Sequence, residues 1–222
     1  MTDFPTWSYS RLKAFETCPR QYYHMRLART YEEPETYEQR YGTDFHTAAE
    51  NYVLHGTELE ERFRYATAVL DRVRAMPGDH YCEYEMGLDI NLSPCKMDDP
   101  SVWWKGIADV LVINGEEARI LDWKTGKSAE RADTGQLELM AMGVFKHFPQ
   151  VKRVKAGLVY VVCNAFIKDN YTVDQESELW QKWLQKYRQY RAAHKHDVFN
   201  PKPSGLCKRW CAVVCCEHNG RR

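Results

Sequence analysis

The sequence contains no apolar run near the roughly 20 residues that a membrane-spanning helix needs, and residues 1–11 hold no signal-peptide apolar core. Both absences point to a soluble, cytoplasmic chain with no membrane partner. Net charge is missing as well: 31 Lys and Arg balance 31 Asp and Glu, so no overall field draws the chain toward a polyanion. There is no internal repeat, no low-complexity tract and no Gly/Ser linker, which excludes a solenoid or a string of tethered modules. What remains is 222 residues, 44% apolar and 13% aromatic, enough for one substantial folded core.

The charges are unevenly placed. Residues 31–61 hold nine acids against the single base Arg40, whereas residues 182–222 hold ten Lys and Arg against only Asp197 and Glu217. An acidic face and a basic end could guide a polyanion, although two ordinary solvated faces fit the same counts. Eight cysteines in a reducing compartment are a poor disulfide framework, so a clustered subset reads as metal ligands.

Along the chain, Ser8 and Ser10 can cap a helix running to about Thr17, and residues 19–29 continue as a second helical piece. Residues 42–55 carry Phe45, Ala48, Ala49, Tyr52 and Val53 at helical spacing, with Gly56 as the stop. Leu59, Phe63, Ala66, Leu70 and Val73 form another helical stripe, closed by Pro77-Gly78. Residues 81–90 read as a strand, and 102–124 as two strands joined at Asn114-Gly115. A helix over 133–148, a strand over 156–163 and a helix over 174–194 follow, then a Pro-, Gly- and Cys-rich tail from Asn200. This order predicts an α/β (α+β) core: a mixed sheet flanked by helices. Cys82, Cys95 and Cys163 read as small buried apolar residues, and His194 and His196 as helix-end solvation.

The hairpin is the most informative segment. With a turn at Asn114-Gly115, Ile113 pairs with Glu116, Asp109 falls opposite Ile120, and Asp122 falls opposite Ile107. Asp109, Asp122 and Lys124 then share one face, the two aspartates on a short diagonal. Carboxylates set among Ile107, Leu111, Ile113, Ala118 and Ile120 are costly to bury, and a hard divalent cation between them removes the repulsion. Lys124 lies within reach of a phosphate or water at that ion. A solvent-facing Asp122–Lys124 pair is the bland alternative, and the inward Asp109 on the partner strand argues against it.

Gly106-Ile107-Ala108-Asp109 with Asp122-Trp123-Lys124-Thr125-Gly126 resembles the active-site hairpin of PD-(D/E)XK nucleases, in particular their RecB-type branch. Ser8-Tyr9-Ser10-Arg11-Leu12 with Phe15-Glu16-Thr17-Cys18-Pro19 and Tyr22-Tyr23 resembles that branch's N-terminal signature, and Gly42-Thr43-x-x-His46 its metal-binding helix. Gln136 opens a helix like its Gln-x-x-x-Tyr motif, with Met140 where tyrosine is usual. The resemblance implies a restriction-endonuclease-like fold and metal-dependent hydrolysis of DNA phosphodiesters. Asp109, Asp122, His46 and the Trp123 carbonyl would hold Mg²⁺ or Mn²⁺, with Lys124 assisting the nucleophile. It favours Glu83 over Glu85 as a further acid. Gln136, Arg11 and Arg20 become substrate-binding candidates, alongside the basic C-terminal region; Trp103, Trp104 and Trp123 read as core before they read as base-stacking.

Cys207-x-x-x-Cys211 followed by Cys216, with Cys18 far upstream, is compatible with zinc. The RecB-type nucleases that carry iron–sulfur clusters, CRISPR-associated and phage exonucleases among them, have one N-terminal Cys-Pro cysteine and three in a C-terminal loop. The resemblance therefore implies a [4Fe–4S] cluster on Cys18, Cys207, Cys211 and Cys216, with Cys215 as the alternative last ligand. It also implies one nuclease domain over 1–222, with 30–199 as its core and 1–29 plus 200–222 as the cluster-binding region. The partner is DNA with a free end or single-stranded character, in replication, recombination, repair or CRISPR-type processing. A second copy of the chain or a recombination or CRISPR protein is compatible with it. The rival from another class is a nucleic-acid-binding adaptor that keeps the fold and no longer cuts.

Overall fold

Local signals become elements wherever they carry a cap or a stop. In the computed structural model, which describes residues 4–32, 34–130 and 132–221, the Ser8 hydroxyl accepts from Arg11 N–H at 3.3 Å and opens helix α1, Tyr9–Thr17. Cys18 ends α1 and, in extended backbone, precedes α2, Pro19–Tyr22, with Pro19 at its first position. A π-helical turn, Tyr23–Leu27, follows. Helix α3 spans Tyr37–His55 and so starts five residues before the expected Gly42. Thr36 and Gln39 cap it reciprocally: Gln39 N–H donates to the Thr36 hydroxyl at 3.2 Å, and Thr36 N–H to Gln39 Oε1 at 2.8 Å. Gly56, at φ +71°, stops it as expected. The next stripe begins as a 3₁₀ turn, Glu61–Ala66, and becomes α4, Thr67–Arg74.

The sheet is mixed and six-stranded. Its strands are β1 (Asp79–Leu88), β2 (Pro94–Cys95), β3 (Trp104–Asn114), β4 (Glu117–Lys124), β5 (Arg153–Tyr160) and β6 (Ala165–Thr172), in the order β2-β1-β3-β4-β5-β6. β4 and β5 are parallel, joined through α5 (Gly135–His147), and the other neighbours are antiparallel. Helix α6, Glu176–His196, follows β6. The α+β class and the mixed sheet agree with the expectation from sequence. β2 and β6 were not expected. β6 is an edge strand carrying Lys168, Asp169 and Asn170, which read as loop, and the turn into it uses Asn164 at φ +52°. That turn also corrects Cys163, which is exposed rather than buried; Cys82 and Cys95 are half-buried.

The chain divides into two compact units, Thr36–Trp180 and the terminal segments Met1–Glu35 with Gln181–Arg222. In the first, α3, the 3₁₀ turn and α4 press Phe45, Ala49, Phe63 and Leu70 onto Val110, Val112, Leu121 and Trp123. Helix α5 is buried from Leu137 to Phe145, as expected of a helix that is apolar all round. Trp103, Trp104 and Trp123 are all core residues, at most 2% exposed. In the terminal unit, Trp7 packs against Tyr187 at 5.6 Å and Phe15 against Tyr190 at 5.4 Å. His194 belongs to this stack, 3.2 Å from the Tyr22 hydroxyl and with its ring 4.4 Å from that of Tyr190. It is therefore a packed residue, not helix-end solvation, because the aromatic stripe of α6 runs to its last turns. His196, exposed at the helix end, does fit that reading. Among the described residues, no helix is long and apolar enough to cross a membrane.

Gly143 in α5 lets that helix approach Trp104. A Cβ there would lie 2.8 and 2.9 Å from two atoms of the fully buried Trp104 ring. Helix propensity alone favours Ala over Gly by about 1 kcal/mol, while overpacking costs about 1–3 kcal/mol. The clash should win. Gly143→Ala is expected to lower the urea midpoint with an unchanged slope, and a raised midpoint would show that Trp104 can move aside.

Candidate active site

The carboxylate hairpin forms with a register different from the expected one. Its two turn residues are Gly115 and Glu116, so Asn114 pairs with Glu117 and Ile113 with Ala118. Gly115, at φ +59°, takes the first central position of the turn, where a glycine is relaxed and a bulkier residue is not. Each partner shifts by two residues, an even number, so the alternation of faces along β4 is preserved. The β3–β4 ladder ends at Val110↔Leu121, which places Asp109 and Asp122 one step beyond it at the same level rather than on a diagonal. There Asp109 Oδ2 accepts the Trp123 N–H at 2.7 Å, a side chain taking a backbone donor at the strand end.

Three elements converge on Asp109. His46, from α3, places Nδ1 3.5 Å from Asp109 Oδ2 and 3.5 Å from Glu83 Oε1. The ligand atoms of His46, Glu83 and Asp109 all lie within 4.8 Å of one another. Glu83 sits in β1 at φ +47°, although Cys82↔Val110 and Tyr84↔Ala108 pair regularly on either side of it. A glutamate in left-handed backbone costs about 1–3 kcal/mol, and this one carries its carboxylate to the histidine. Glu85 stays away, lining a separate groove with Tyr84, Lys96 and Lys105.

Asp122 is held from both sides. Gln136, in the first turn of α5, donates Nε2–H to Asp122 Oδ1 at 2.6 Å, and the Lys124 ammonium stands 2.5 Å from Oδ2. That oxygen is buried, and the ammonium is the partner that faces it. Met140, one turn after Gln136, is buried with its sulfur close to Gly106, so it fills core. Trp123 presents its ring to Phe45 edge-on at 6.1 Å. Gly42 and Thr125, flanking the two motifs, meet: a Cβ on Gly42 would be 3.4 Å from the Thr125 hydroxyl. An open groove bordered by Glu38, Thr43, Glu50 and Glu83 leads to His46.

Burial dominates the titration of these groups. It pushes the Asp109 carboxyl up to about 7, with the Asp122 charge adding and His46 opposing. It raises Asp122 too, against the pull of Lys124. Burial draws His46 down, but its hydrogen bond with Glu83 and the charges of Asp109, Glu83 and Asp122 outweigh that and raise it.

The terminal unit holds the cysteines. Cys18, Cys207, Cys211 and Cys216 line one small cavity, together with Arg20, Lys202 and Asn219. Lys202 N–H donates to Cys18 Sγ and Ser204 N–H to Cys207 Sγ, each at 3.4 Å. Cys216 is buried, whereas Cys215 is exposed with its sulfur 3.8 Å from His24 Nε2. Buried Asn219, which sequence reasoning missed, ties the loop by donating to the carbonyls of Cys211 and Val213 at 3.0 and 2.9 Å. A lone Asn-Gly gave no sign of it. Arg20 pairs with Glu217 at 3.7 Å, and Arg11, exposed on α1, reaches the Thr6 carbonyl at 3.4 Å.

A family model described as the PD-(D/E)XK nuclease superfamily matches residues 6–85 and 80–216. A solved structure of a protein named as a candidate exonuclease, from Eubacterium rectale, superposes with a TM-score of 0.56 at 14% identity, covering 96% of this chain and 88% of that one. The structure of the protein SSO0001 gives a TM-score of 0.48 at 14% identity, covering 99% and 89%. No curated protein sequence matches the chain.

Because its folded pKa is raised, Asp109 contributes most favourably below its unfolded value near 3.8, and that contribution is lost as pH rises through about 7. Metal-stripped Asp109→Asn, which keeps an acceptor for Trp123 N–H, should therefore melt higher than the parent at pH 8, by roughly 2–4 °C per kcal/mol of relief. The gap should narrow toward pH 5. Added Mn²⁺ should raise the melting temperature of the parent and not of the variant. A gap independent of pH would refute the electrostatic account.

Proposed function

Since the chain belongs to the PD-(D/E)XK nuclease superfamily, and so to the metal-dependent phosphodiester hydrolases, we propose that it is a DNA exonuclease working at the His46–Glu83–Asp109–Asp122 site. The observation that carries this reading is the convergence of α3, β1 and the β3–β4 hairpin on one cluster of oxygen and nitrogen donors beside Lys124.

A hard divalent cation fits that cluster. The donors are two or three carboxylates and an imidazole, and Asp122 keeps one buried oxygen without a hydrogen bond. Asp109, Asp122, His46 and the Trp123 backbone carbonyl would hold Mg²⁺ or Mn²⁺, with Glu83 as the further acid. When bound, such an ion supplies Lewis acidity toward a phosphoryl oxygen and water. Gln136 fixes Asp122 Oδ1, so Oδ2, which faces the Lys124 ammonium, is the oxygen the ion would share. The Lys124 ammonium, beside Asp122, would orient the attacking water and offset the negative charge that grows on the phosphoryl oxygens. The products would carry 5′-phosphates. Attack on DNA ends follows the name carried by the Eubacterium rectale relative, and the substrate would be DNA with a free end or single-stranded character. Replication, recombination, repair or CRISPR-type processing is the setting, with a second copy or a partner of those pathways compatible. Arg11, Arg20 and the basic C-terminal region would contact the backbone of the DNA.

In the terminal unit, residues 1–29 with 200–222 would form a cluster-binding region, with 30–199 as the nuclease core. Cys18, Cys207, Cys211 and Cys216 suit a [4Fe–4S] cluster: four thiolates around one cavity, two of them accepting backbone N–H bonds of the kind that tune such sulfurs. Zinc is the alternative that shares this donor set.

Three experiments test the reading. End-labelled linear and circular DNA, single- and double-stranded, should be degraded from ends in Mg²⁺ or Mn²⁺ with circles spared; cutting of circles would replace the exonuclease by an endonuclease. Lys124→Ala should keep DNA affinity and lose about 10²-fold or more in single-turnover rate. Anaerobically purified protein should be brown and contain iron, and Cys18→Ala should lose colour and stability together. Stoichiometric zinc in a colourless protein would remove the cluster.

A further inference from the structure

Six of the seven tryptophans are each 4% exposed or less, and the seventh, Trp210, is 70% exposed. A large aromatic left in water is unusual, because burying it is among the most favourable uses of a side chain. Trp210 does not hang on a slack segment. Its N–H donates to the Leu206 carbonyl at 2.9 Å, Cys211 N–H reaches the same carbonyl at 3.1 Å, and Cys207 N–H reaches Ser204 at 3.0 Å. Asn219 and Gly220 tie the neighbouring backbone to Cys211, Val213 and Cys207. The backbone that carries the indole is thus fixed by hydrogen bonds, so only the side-chain rotamer has to be ordered on a ligand.

The charge beside it identifies that ligand. Lys208 and Arg209 immediately precede Trp210, and neither enters an ion pair among the described residues. They belong to the stretch 182–222, with its ten bases and two acids. An exposed indole on a fixed backbone next to two exposed cations matches the two needs of a single nucleic-acid strand: a π-face for a base and positive charge for its phosphates. A duplex keeps its bases stacked inside and offers the indole only its backbone.

We propose that Trp210 is a base-stacking platform for single-stranded DNA, with Lys208 and Arg209 engaging the flanking phosphates. This rests on the nuclease reading for the identity of the polymer. Leu206 and Val214, in the same loop and 50% and 46% exposed, are apolar surface that would also suit a protein, and the test includes that outcome.

Full-length protein is titrated, with divalent ions chelated so that nothing is cut, against a labelled oligo-dT of about 12 nucleotides and a blunt duplex of equal length. Trp210→Ala should bind the single strand between about 5- and 100-fold more weakly, the range for losing one stacked base, and the duplex unchanged. Trp210→Phe should recover most of the affinity. Melting temperature and metal content should match the parent in both variants, as the side chain is largely in solvent. An unchanged single-strand affinity overturns the inference, as does an equal loss on both DNAs. A variant that alters only self-association would assign the face to a second copy and overturn it as well. Cleavage by the parent in Mg²⁺ is scored separately. A chain that grips oligo-dT through Trp210 and cuts nothing removes the nuclease reading and leaves this inference. A chain that cuts, and whose Trp210→Ala form grips equally well, does the reverse.

Discussion

Two carboxylates buried side by side at the end of one hairpin set the terms for everything around them. Asp109 and Asp122 lie one step past the last pair of the β3–β4 ladder, where burial alone drives both toward the neutral form. The surrounding structure supplies partial answers: the Trp123 N–H and His46 for Asp109, Lys124 and Gln136 for Asp122. None of these cancels the charge fully, as the direction of both shifts shows. A site that remains electrostatically unsatisfied without a cation is poised to bind one, and the stability given up in the metal-free state is the counterpart of that affinity.

The same constraint explains the distorted backbone nearby. Glu83 occupies left-handed φ inside an otherwise regular strand pairing, which local sequence preference does not account for. The distortion puts a third carboxylate within reach of His46, which α3 carries to the same place one turn after Gly42. The large apolar side chains behind the site, Phe45, Phe63 and Trp123, fix these positions, so strain at one residue is held by packing at many.

Much of this was legible in the sequence, for physical reasons that differ from residue to residue. Apolar periodicity marked α3 and α4, and the Asn114-Gly115 pair marked the hairpin. The register was missed because Gly115 can serve as either central residue of a two-residue turn, and only the pairing energy of whole strands decides which. The shared level of Asp109 and Asp122 went with it. The capping box at Thr36 and Gln39 was legible in principle, as its spacing is the standard signal, and it was passed over because apolar periodicity begins later. β6 was illegible, since an edge strand needs little hydrophobicity and its Lys168, Asp169 and Asn170 satisfy loop criteria. Nor could a count of cysteines separate Cys215 from Cys216: burial does, by turning Cys216 into the cavity and Cys215 toward His24.

The two donor sets differ in a way that bears on how the protein would be loaded. The core unit offers carboxylates and one imidazole, hard to borderline donors that suit Mg²⁺ or Mn²⁺, whereas the terminal unit offers four thiols, which prefer softer ions. Thiols also bind only once deprotonated, and burial raises Cys211 above its ordinary value, so capture there needs a metal strong enough to displace the proton. A weakly bound Mg²⁺ cannot do that, and a thiophilic ion gains less from the oxygen site. Ligand softness therefore separates the two sites. On the proposed reading, an ion at the oxygen site would exchange with solvent while a group on the cysteines would persist, the division expected if one site does chemistry and the other is structural.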